Sequence, residues 1–121
     1  SGIRVLVIDD DKVVRSAMLA LLTALGAEPT AVANIQQAIG CVRLRRPDLV
    51  LADLRLGAGE TGIEAITQIR ELCCNVPAIL ITGDTGTEQI RLAHQTGLDV
   101  IHKPVNPRDL EQKITTVLAG S

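Results

Sequence analysis

Five short apolar runs alternate with segments of helical period along this chain. The runs are rich in Val, Ile and Leu, and several lack the alternation with polar residues that marks a half-buried strand, so they are typical of strands buried on both faces of a parallel sheet. The predicted strands are Ile3–Ile8, Glu28–Ala33, Leu49–Ala52, Ala78–Thr82 and Asp99–Ile101.

Residues typical of helix ends mark the five helical segments. Asn34 and Asn106 have the short polar side chains of N-caps, Pro107 suits the first helical position, and Gly26 suits the position after a helix end. We expect helices before Gly26, from Asn34 towards Pro47, from about Gly62, from about Thr87 to Gly97, and from Asn106.

This βα pattern, repeated five times, predicts an α/β fold with helices on both faces of a five-stranded parallel sheet. The flavodoxin-like (βα)5 arrangement, with strand order 2-1-3-4-5, is the natural topology for it. Ligands bind such sheets beyond the carboxyl ends of the strands, where the strand order reverses. The residues that end strands 1 and 3 should therefore meet.

Carboxylates occupy those strand ends. Asp9, Asp10 and Asp11 follow the first run directly, and Asp53 follows the third. Clustered carboxylates repel one another and raise each other's pKa, so this grouping is best explained by a hard divalent cation such as Mg²⁺, which binds a few carboxylates, waters and phosphate oxygens. Asp11 is also suited to be the N-cap of the first helix.

A hydroxyl and an ammonium group are expected at the same edge. Thr82 ends the fourth run and Lys103 follows the fifth. Thr82 could donate a hydrogen bond to a phosphoryl group, Lys103 could neutralise its charge, and a carboxylate beside Mg²⁺ could accept it. The pattern favours transfer of phosphate onto an aspartate.

Length and composition limit the functional classes. The 121 residues predict one domain, 1–121, with a core of about 3–118, and the formal charge of -2 argues against direct nucleic-acid binding. No apolar stretch is long enough to span a membrane, so a cytoplasmic protein is expected.

The chain contains no Phe, Tyr or Trp, so its core must be aliphatic. Oligomeric state is left open.

Taken together, these motifs resemble the receiver domain of two-component response regulators, over roughly Ile3 to Leu118. The shared features are the acidic pair after strand 1, the aspartate ending strand 3, Thr-Gly after strand 4 and Lys-Pro after strand 5. Each is weak alone, but their joint order and spacing is specific.

The resemblance implies a role for each matching residue. Asp53 would be the phosphoacceptor, Asp10 would bind Mg²⁺ directly and Asp9 through water, and Arg55 would contribute its backbone carbonyl to the metal. Thr82 would be the switch hydroxyl and Lys103 would contact the phosphoryl group, with a cis peptide before Pro104. The phosphate donor would be a histidine kinase or a histidine phosphotransfer domain, and the receiver would catalyse only its own phosphorylation and dephosphorylation.

A narrower resemblance concerns the protein to which such a domain is attached. Segments 53–56, 61–66, 81–85 and 102–105 look like receivers at the C-terminus of hybrid sensor histidine kinases. A receiver in that setting passes phosphate within a phosphorelay and does not drive an attached DNA-binding domain. The parent chain is therefore expected to be a hybrid histidine kinase.

One residue departs from the family, and two alternatives stay open. Val100 stands where receivers commonly carry a Tyr or Phe that moves together with the switch Thr. A pseudo-receiver that only binds proteins and is never phosphorylated is therefore one alternative. The other is a Mg²⁺-dependent phosphatase of the haloacid dehalogenase type with Asp9 as nucleophile, since residues 9–13 fit the D-x-D-x-[TV] motif.

Overall fold

A computed structural model describes residues 2–83 and 88–120. Strands and helices alternate within these ranges. The strands are β1 (Arg4–Ile8), β2 (Glu28–Val32), β3 (Leu49–Asp53), β4 (Ala78–Thr82) and β5 (Asp99–His102). The helices are α1 (Lys12–Ala24), α2 (Ile35–Leu44), α3 (Gly62–Leu72), α4 (Glu88–Gln95) and α5 (Pro107–Ala119).

The five strands form one parallel sheet in the order β2-β1-β3-β4-β5. This confirms the predicted flavodoxin-like topology. Ile8 of β1 pairs with Ala52 of β3, and Asp53 pairs with Ile81 of β4. The carboxyl ends of the three central strands therefore lie side by side at one edge.

The core has two aliphatic layers, one on each face of the sheet. Successive strand residues face opposite layers, as the two-residue period of a strand requires. One layer packs strand residues such as Leu6, Val50 and Leu80 against α2, α3 and α4. The other packs Val7 and Leu51, among others, against α1 and α5. Central strands buried on both faces explain the continuous apolar runs in the sequence.

Side chains expected at helix starts do cap them. Asp11 accepts from the Val13 and Val14 amides, Asn34 from Gln37, and Asn106 from Arg108 and Asp109. Thr61 forms a capping box with Glu64 at the start of α3. These bonds satisfy N–H groups that have no partner inside the helix.

Several boundaries differ from the sequence prediction by one to three residues. β1 begins at Arg4, β2 ends at Val32, and both β3 and β5 run one residue further than expected. Helix α2 ends at Leu44, three residues before Pro47, because Arg45 already has an extended backbone. The predicted start of the fourth helix, Thr87, lies outside the described residues, as do Asp84 and Thr85. None of the helices described here, at most 13 residues long, could cross a bilayer.

Gly62, the first residue of α3, fills a position that has no room for a side chain. A Cβ there would clash with the backbone carbonyl of Asp53 and lie 2.7 Å from Cδ2 of Leu80. The Gly62 amide also donates to the carbonyl of Leu54 at 2.9 Å. The close approach lets α3 begin directly against the end of β3, where the acids are.

We expect Gly62→Ala to lower the free energy of unfolding by about 1–3 kcal/mol, because the new methyl group must displace backbone. Gly40→Ala is the matched control, since Gly40 lies in α2 with no atom near its Cβ position. That substitution should stabilise by about 0.5–1 kcal/mol through helix propensity. Urea unfolding of both variants measures the difference, and two changes of the same sign would contradict the packing argument.

Candidate functional site

Three carboxylates meet at the edge of the sheet. Asp9 directly follows β1, Asp10 comes next, and Asp53 is the last residue of β3. One oxygen from each side chain lies within 4.8 Å of the other two. Asp9 is buried, Asp53 is half-buried and Asp10 is exposed, so the cluster extends from the protein interior to solvent.

Backbone pairing holds the two inner acids in place. The Asp9 amide donates to the carbonyl of Val32 at 3.0 Å, which continues the ladder between β1 and β2. On the other side, the Leu54 amide donates to the carbonyl of Ile81 at 2.9 Å. The positions of Asp9 and Asp53 are therefore set by the sheet and not by a loop.

The Asp9 side chain is held by its own turn. Its Oδ1 accepts from the Asp11 amide at 2.9 Å, and its backbone carbonyl accepts from Arg15 Nη1 at 2.9 Å. Burial raises the pKa of Asp9 above its ordinary value, and the charges of Asp53 and Asp10 act in the same direction. The Asp11 amide and the Lys103 ammonium oppose that rise without cancelling it.

Lys103 supplies the positive charge of the site. Its Nζ lies 3.2 Å from Asp53 Oδ2 and 3.8 Å from Asp9 Oδ2. The Lys103 amide donates to the carbonyl of Thr82 at 2.8 Å, which draws the end of β5 against β4. The Lys103–Pro104 peptide bond is cis, as the resemblance implied.

Thr82 is the last residue of β4 and is buried. It pairs with His102 in the sheet and lies one position beyond Ile81, the partner of Asp53. The sheet therefore brings Thr82 to the same edge as the acids. Val100, at the position of the usual aromatic residue, is half-buried, pairs with Leu80 and packs against the core layer under α4.

The segment after β3 approaches the acids from the solvent side. Arg55, the expected backbone ligand, is exposed and forms an isolated antiparallel bridge with Thr61. Between these two residues, a Cβ on Gly57 would lie 2.9 Å from Asp10 Oδ2, so the segment passes close to that carboxylate and leaves no room there for a larger residue. The sequence analysis did not predict that Gly57 lies close to Asp10, although two glycines between a strand and an N-cap threonine indicate a tight loop.

An apolar groove of about 550 Å³ opens beside the carboxylates. Asp9, Asp53 and Lys103 are among its lining residues, and Val13 on its α1 side is 75% exposed. The rest of the wall is largely aliphatic and comes from the strands, α1 and the segment after β5: Val7, Ile8, Leu51, Ile81, Val14, Ala17, Met18, Leu21, Pro104 and Val105. The groove, which the sequence analysis did not anticipate, places an uncharged surface directly next to the charged site.

Residues 5–115 match the family model of the response regulator receiver domain. The chain belongs to this family. Members are phosphoacceptor modules of two-component systems and not enzymes with an external turnover substrate. Histidine kinases or phosphotransfer proteins are the partners with which receiver domains interact.

Among its relatives, this receiver domain is 33% identical to the DNA-binding response regulator MtrA of Mycolicibacterium paratuberculosis, over 92% of this chain and 49% of that protein. It is 32% identical to the phosphate regulon transcriptional regulatory protein PhoB of Pseudomonas aeruginosa, over 97% of this chain and 52% of that protein. The chain thus spans about half the length of these relatives.

Solved receiver structures have the same fold. A CheY-like receiver domain protein from Methanospirillum hungatei is 29% identical, with a TM-score of 0.87 over 99% of this chain and 96% of that chain. The receiver domain of NtrX from Brucella abortus is 25% identical, with a TM-score of 0.88 over 97% of this chain and 99% of that chain.

The raised pKa of Asp9 predicts how stability depends on pH when no metal is present. Because the folded state holds this proton more tightly than the unfolded state does, protonation of Asp9 contributes to the free energy of unfolding. The contribution is fully present below the ordinary aspartate pKa of about 4. It is lost as pH rises through the raised pKa of Asp9. We therefore expect Asp9→Asn to be more stable than the wild type at neutral pH in EDTA, and the gap to close towards pH 4.

Thermal unfolding of both proteins across this pH range measures the gap. Asp99→Asn, on β5, provides a control for an aspartate outside the cluster. A difference between Asp9→Asn and the wild type that stays constant with pH would contradict the assignment to Asp9 ionisation.

Proposed function

We propose that Asp53 accepts a phosphoryl group from a phosphohistidine of a histidine kinase or histidine phosphotransfer domain, in a Mg²⁺-dependent step. The observation that carries the proposal is the position of the Asp53 carboxylate, 3.2 Å from the Lys103 ammonium and within 4.8 Å of the Asp9 and Asp10 oxygens. Membership of the receiver family supports the same conclusion.

Asp53 is a better acceptor than Asp9 for a steric reason. The side chain of Asp53 is 13% exposed, whereas that of Asp9 is 5% exposed and accepts from the Asp11 amide. A nucleophile must reach the phosphorus atom, so the more accessible carboxylate is favoured. The phosphatase alternative with Asp9 as nucleophile accordingly has little support.

The donor set fits Mg²⁺. Three carboxylates of graded exposure lie close enough to share one small cation, and the exposed Asp10 leaves space for waters and phosphoryl oxygens. Asp10 and Asp53 would bind it directly, Asp9 through water, and the Arg55 carbonyl would add a backbone oxygen. A bound Mg²⁺ would offset the negative charge of both the phosphoryl group and the acids.

Two side chains would stabilise the phosphoryl group after transfer. Lys103 already interacts with Asp53 Oδ2, and the same ammonium can pair with a phosphoryl oxygen once Asp53 carries the acyl phosphate. Thr82, at the end of the neighbouring strand, would donate its hydroxyl to another phosphoryl oxygen and act as the switch residue. With Val100 in place of an aromatic residue on the neighbouring strand β5, we expect coupling from Thr82 to the α4 and β5 surface to be weaker than in receivers that carry the aromatic.

The apolar groove between α1 and the segment after β5 offers a surface for the protein donor. A phosphohistidine must be brought to Asp53, and Val13 is exposed at the rim of the groove that leads there. Apolar contact of this kind positions a partner without adding charge to the site.

The setting of the domain within its full-length protein is a further hypothesis. Similarity of four short segments to hybrid-kinase receivers favours a place in a phosphorelay, in the cytoplasm. MtrA and PhoB are named as DNA-binding and transcriptional regulators, which is the other setting for such a domain. The domains encoded beside this one in the complete gene would decide between them.

Labelling with acetyl phosphate tests the acceptor assignment. Asp53→Ala should abolish Mg²⁺-dependent label, and borohydride reduction followed by mass spectrometry of the wild type should place the acyl phosphate on Asp53. Asp9→Asn should retain some label. A modified Asp9 in the wild type would favour the phosphatase alternative, and no acyl phosphate at all would favour the pseudo-receiver.

Magnesium binding should depend on Asp10. We expect Asp10→Asn to weaken Mg²⁺ affinity at least about tenfold, because a neutral amide replaces a charged ligand. Asp11→Asn is the matched control: it removes a charge one residue away but keeps an N-cap side chain for α1. NMR amide titrations with MgCl₂ measure both affinities, and equal losses would indicate a general charge effect and no ligand role.

Val13→Ser should slow phosphotransfer from a phosphohistidine protein about 3- to 10-fold and leave labelling by acetyl phosphate unchanged, because it removes buried apolar area only from the protein complex. Leu44→Ser is the control, since Leu44 is 89% exposed on α2, outside the groove. Equal slowing with both donors would indicate that Val13 acts through the acids and does not contact the donor.

A further inference from the structure

A compact loop connects β3 to α3 and lies beside the acids. We call residues 56–60 the glycine loop. It is closed by its own backbone, with the Leu56 amide donating to the Glu60 carbonyl at 3.0 Å and the Glu60 amide donating to the Gly57 carbonyl at 2.9 Å. Three consecutive residues have positive φ: 78° at Gly57, 52° at Ala58 and 80° at Gly59. The loop therefore has a defined, hydrogen-bonded shape.

One side of this loop limits the space available to Asp10. The Cβ position of Gly57 lies 2.9 Å from Asp10 Oδ2, so the Gly57 backbone flanks that carboxylate. Asp10 is exposed and follows the end of β1, where solvent alone would leave its side chain free to change rotamer. The glycine loop, so close on one side, leaves that side chain less space to move.

The other end of the loop is attached to a different helix. Oε1 of Glu60 accepts from the backbone amide of Ile35 at 3.3 Å, across 25 residues of sequence. Ile35 is buried and is the first residue of α2, so its N–H has no acceptor within the helix. The helix dipole also favours a carboxylate at this position. The Asn34 side chain accepts from a different amide, that of Gln37, so Asn34 and Glu60 do not compete for the same donor.

We propose that Glu60 is a positioning residue for the cation site. Its hydrogen bond to the Ile35 amide fixes the glycine loop against Asp10, and the loop in turn holds the Asp10 carboxylate in the orientation that binds Mg²⁺. This inference rests on the proposed function, because it assigns Glu60 to the same site. Glu60 itself acts without touching the metal or the phosphoryl group.

A specific pattern of effects follows. Without the Glu60 hydrogen bond, the loop can move away from Asp10, and the Asp10 side chain gains conformational freedom. Cation binding must then restrict this side chain, at a cost in entropy that the wild type does not have. The apparent affinity for Mg²⁺ should fall, whereas the labelling rate at saturating Mg²⁺ should stay within about twofold because Asp53, Lys103 and Thr82 are placed by the sheet. Groups that hydrogen-bond directly to metal ligands typically change affinity by about 10- to 100-fold when they are lost, and an anchor that acts through a loop should have an effect at or below the low end of that range.

The test compares Glu60→Ala, Glu60→Gln and Glu71→Ala. Glu60→Gln keeps an oxygen for the Ile35 amide but removes the charge, and Glu71→Ala removes an exposed carboxylate near the far end of α3. Amide NMR titration with MgCl₂ gives the dissociation constant, and hydrogen exchange of the Ile35 amide in EDTA reports the anchor directly. Acetyl phosphate labelling across Mg²⁺ concentrations separates affinity from maximal rate.

For Glu60→Ala we expect a dissociation constant raised about 3- to 10-fold, faster exchange at Ile35, shifted Gly57 and Gly59 amides, and an unchanged maximal rate. Glu60→Gln should lie within about twofold of the wild type, as should Glu71→Ala. Equal losses in the two Glu60 variants would overturn the inference, because charge and not anchoring would then be responsible. An unchanged affinity in Glu60→Ala would also overturn it.

The wild-type titration keeps the two proposals separate. If the wild type binds no Mg²⁺ and takes no label, the proposed function fails. If the wild type binds and is labelled while Glu60→Ala behaves identically, only the role of Glu60 is refuted.

Discussion

Asp9 and Asp53 lie side by side because β1 and β3 run parallel and in register. Ile8 and Ala52 are paired, and the next residue on each strand is the acid. Side chains of both strands pack into the aliphatic layers on both faces of the sheet, so a shift of either strand would displace closely packed residues in both layers. Core packing therefore maintains a pair of like charges that would otherwise move apart.

Neighbouring groups in the site partly offset the repulsion between Asp9 and Asp53. Lys103 reaches both carboxylates from the end of β5, and the turn after β1 gives Asp9 a backbone donor. Both reduce the unfavourable charge, yet the pKa of Asp9 stays raised. Because like charges stay close together in this site, a bound cation would relieve more repulsion here than in a site whose charges were already balanced.

Local sequence signals predicted the strands, the N-caps and the convergence of the acids. Asn34, Asn106 and Asp11 cap helices because their side chains can bond amides two or three residues ahead, a rule that needs no tertiary information. The bond from Glu60 to Ile35 and the approach of Gly57 to Asp10 depend on how α2 and the glycine loop are placed in space. A single sequence contains no pattern for contacts of that kind.

The same reason explains why the groove beside Asp53 was missed. Most of its aliphatic residues on α1 fit the helical period of a core face, whereas Val13 and Ala17 are exposed. Periodicity separates apolar from polar faces but does not indicate which part of an apolar face stays uncovered.

The wholly aliphatic core has a practical consequence for spectroscopy. With no Phe, Tyr or Trp in the chain, the protein has almost no absorbance or fluorescence in the aromatic band, and its near-ultraviolet circular dichroism has no aromatic contribution. A single tryptophan introduced anywhere would be the sole emitter. Each such variant would report on one chosen position without background, which makes this small sheet well suited to following local motion optically.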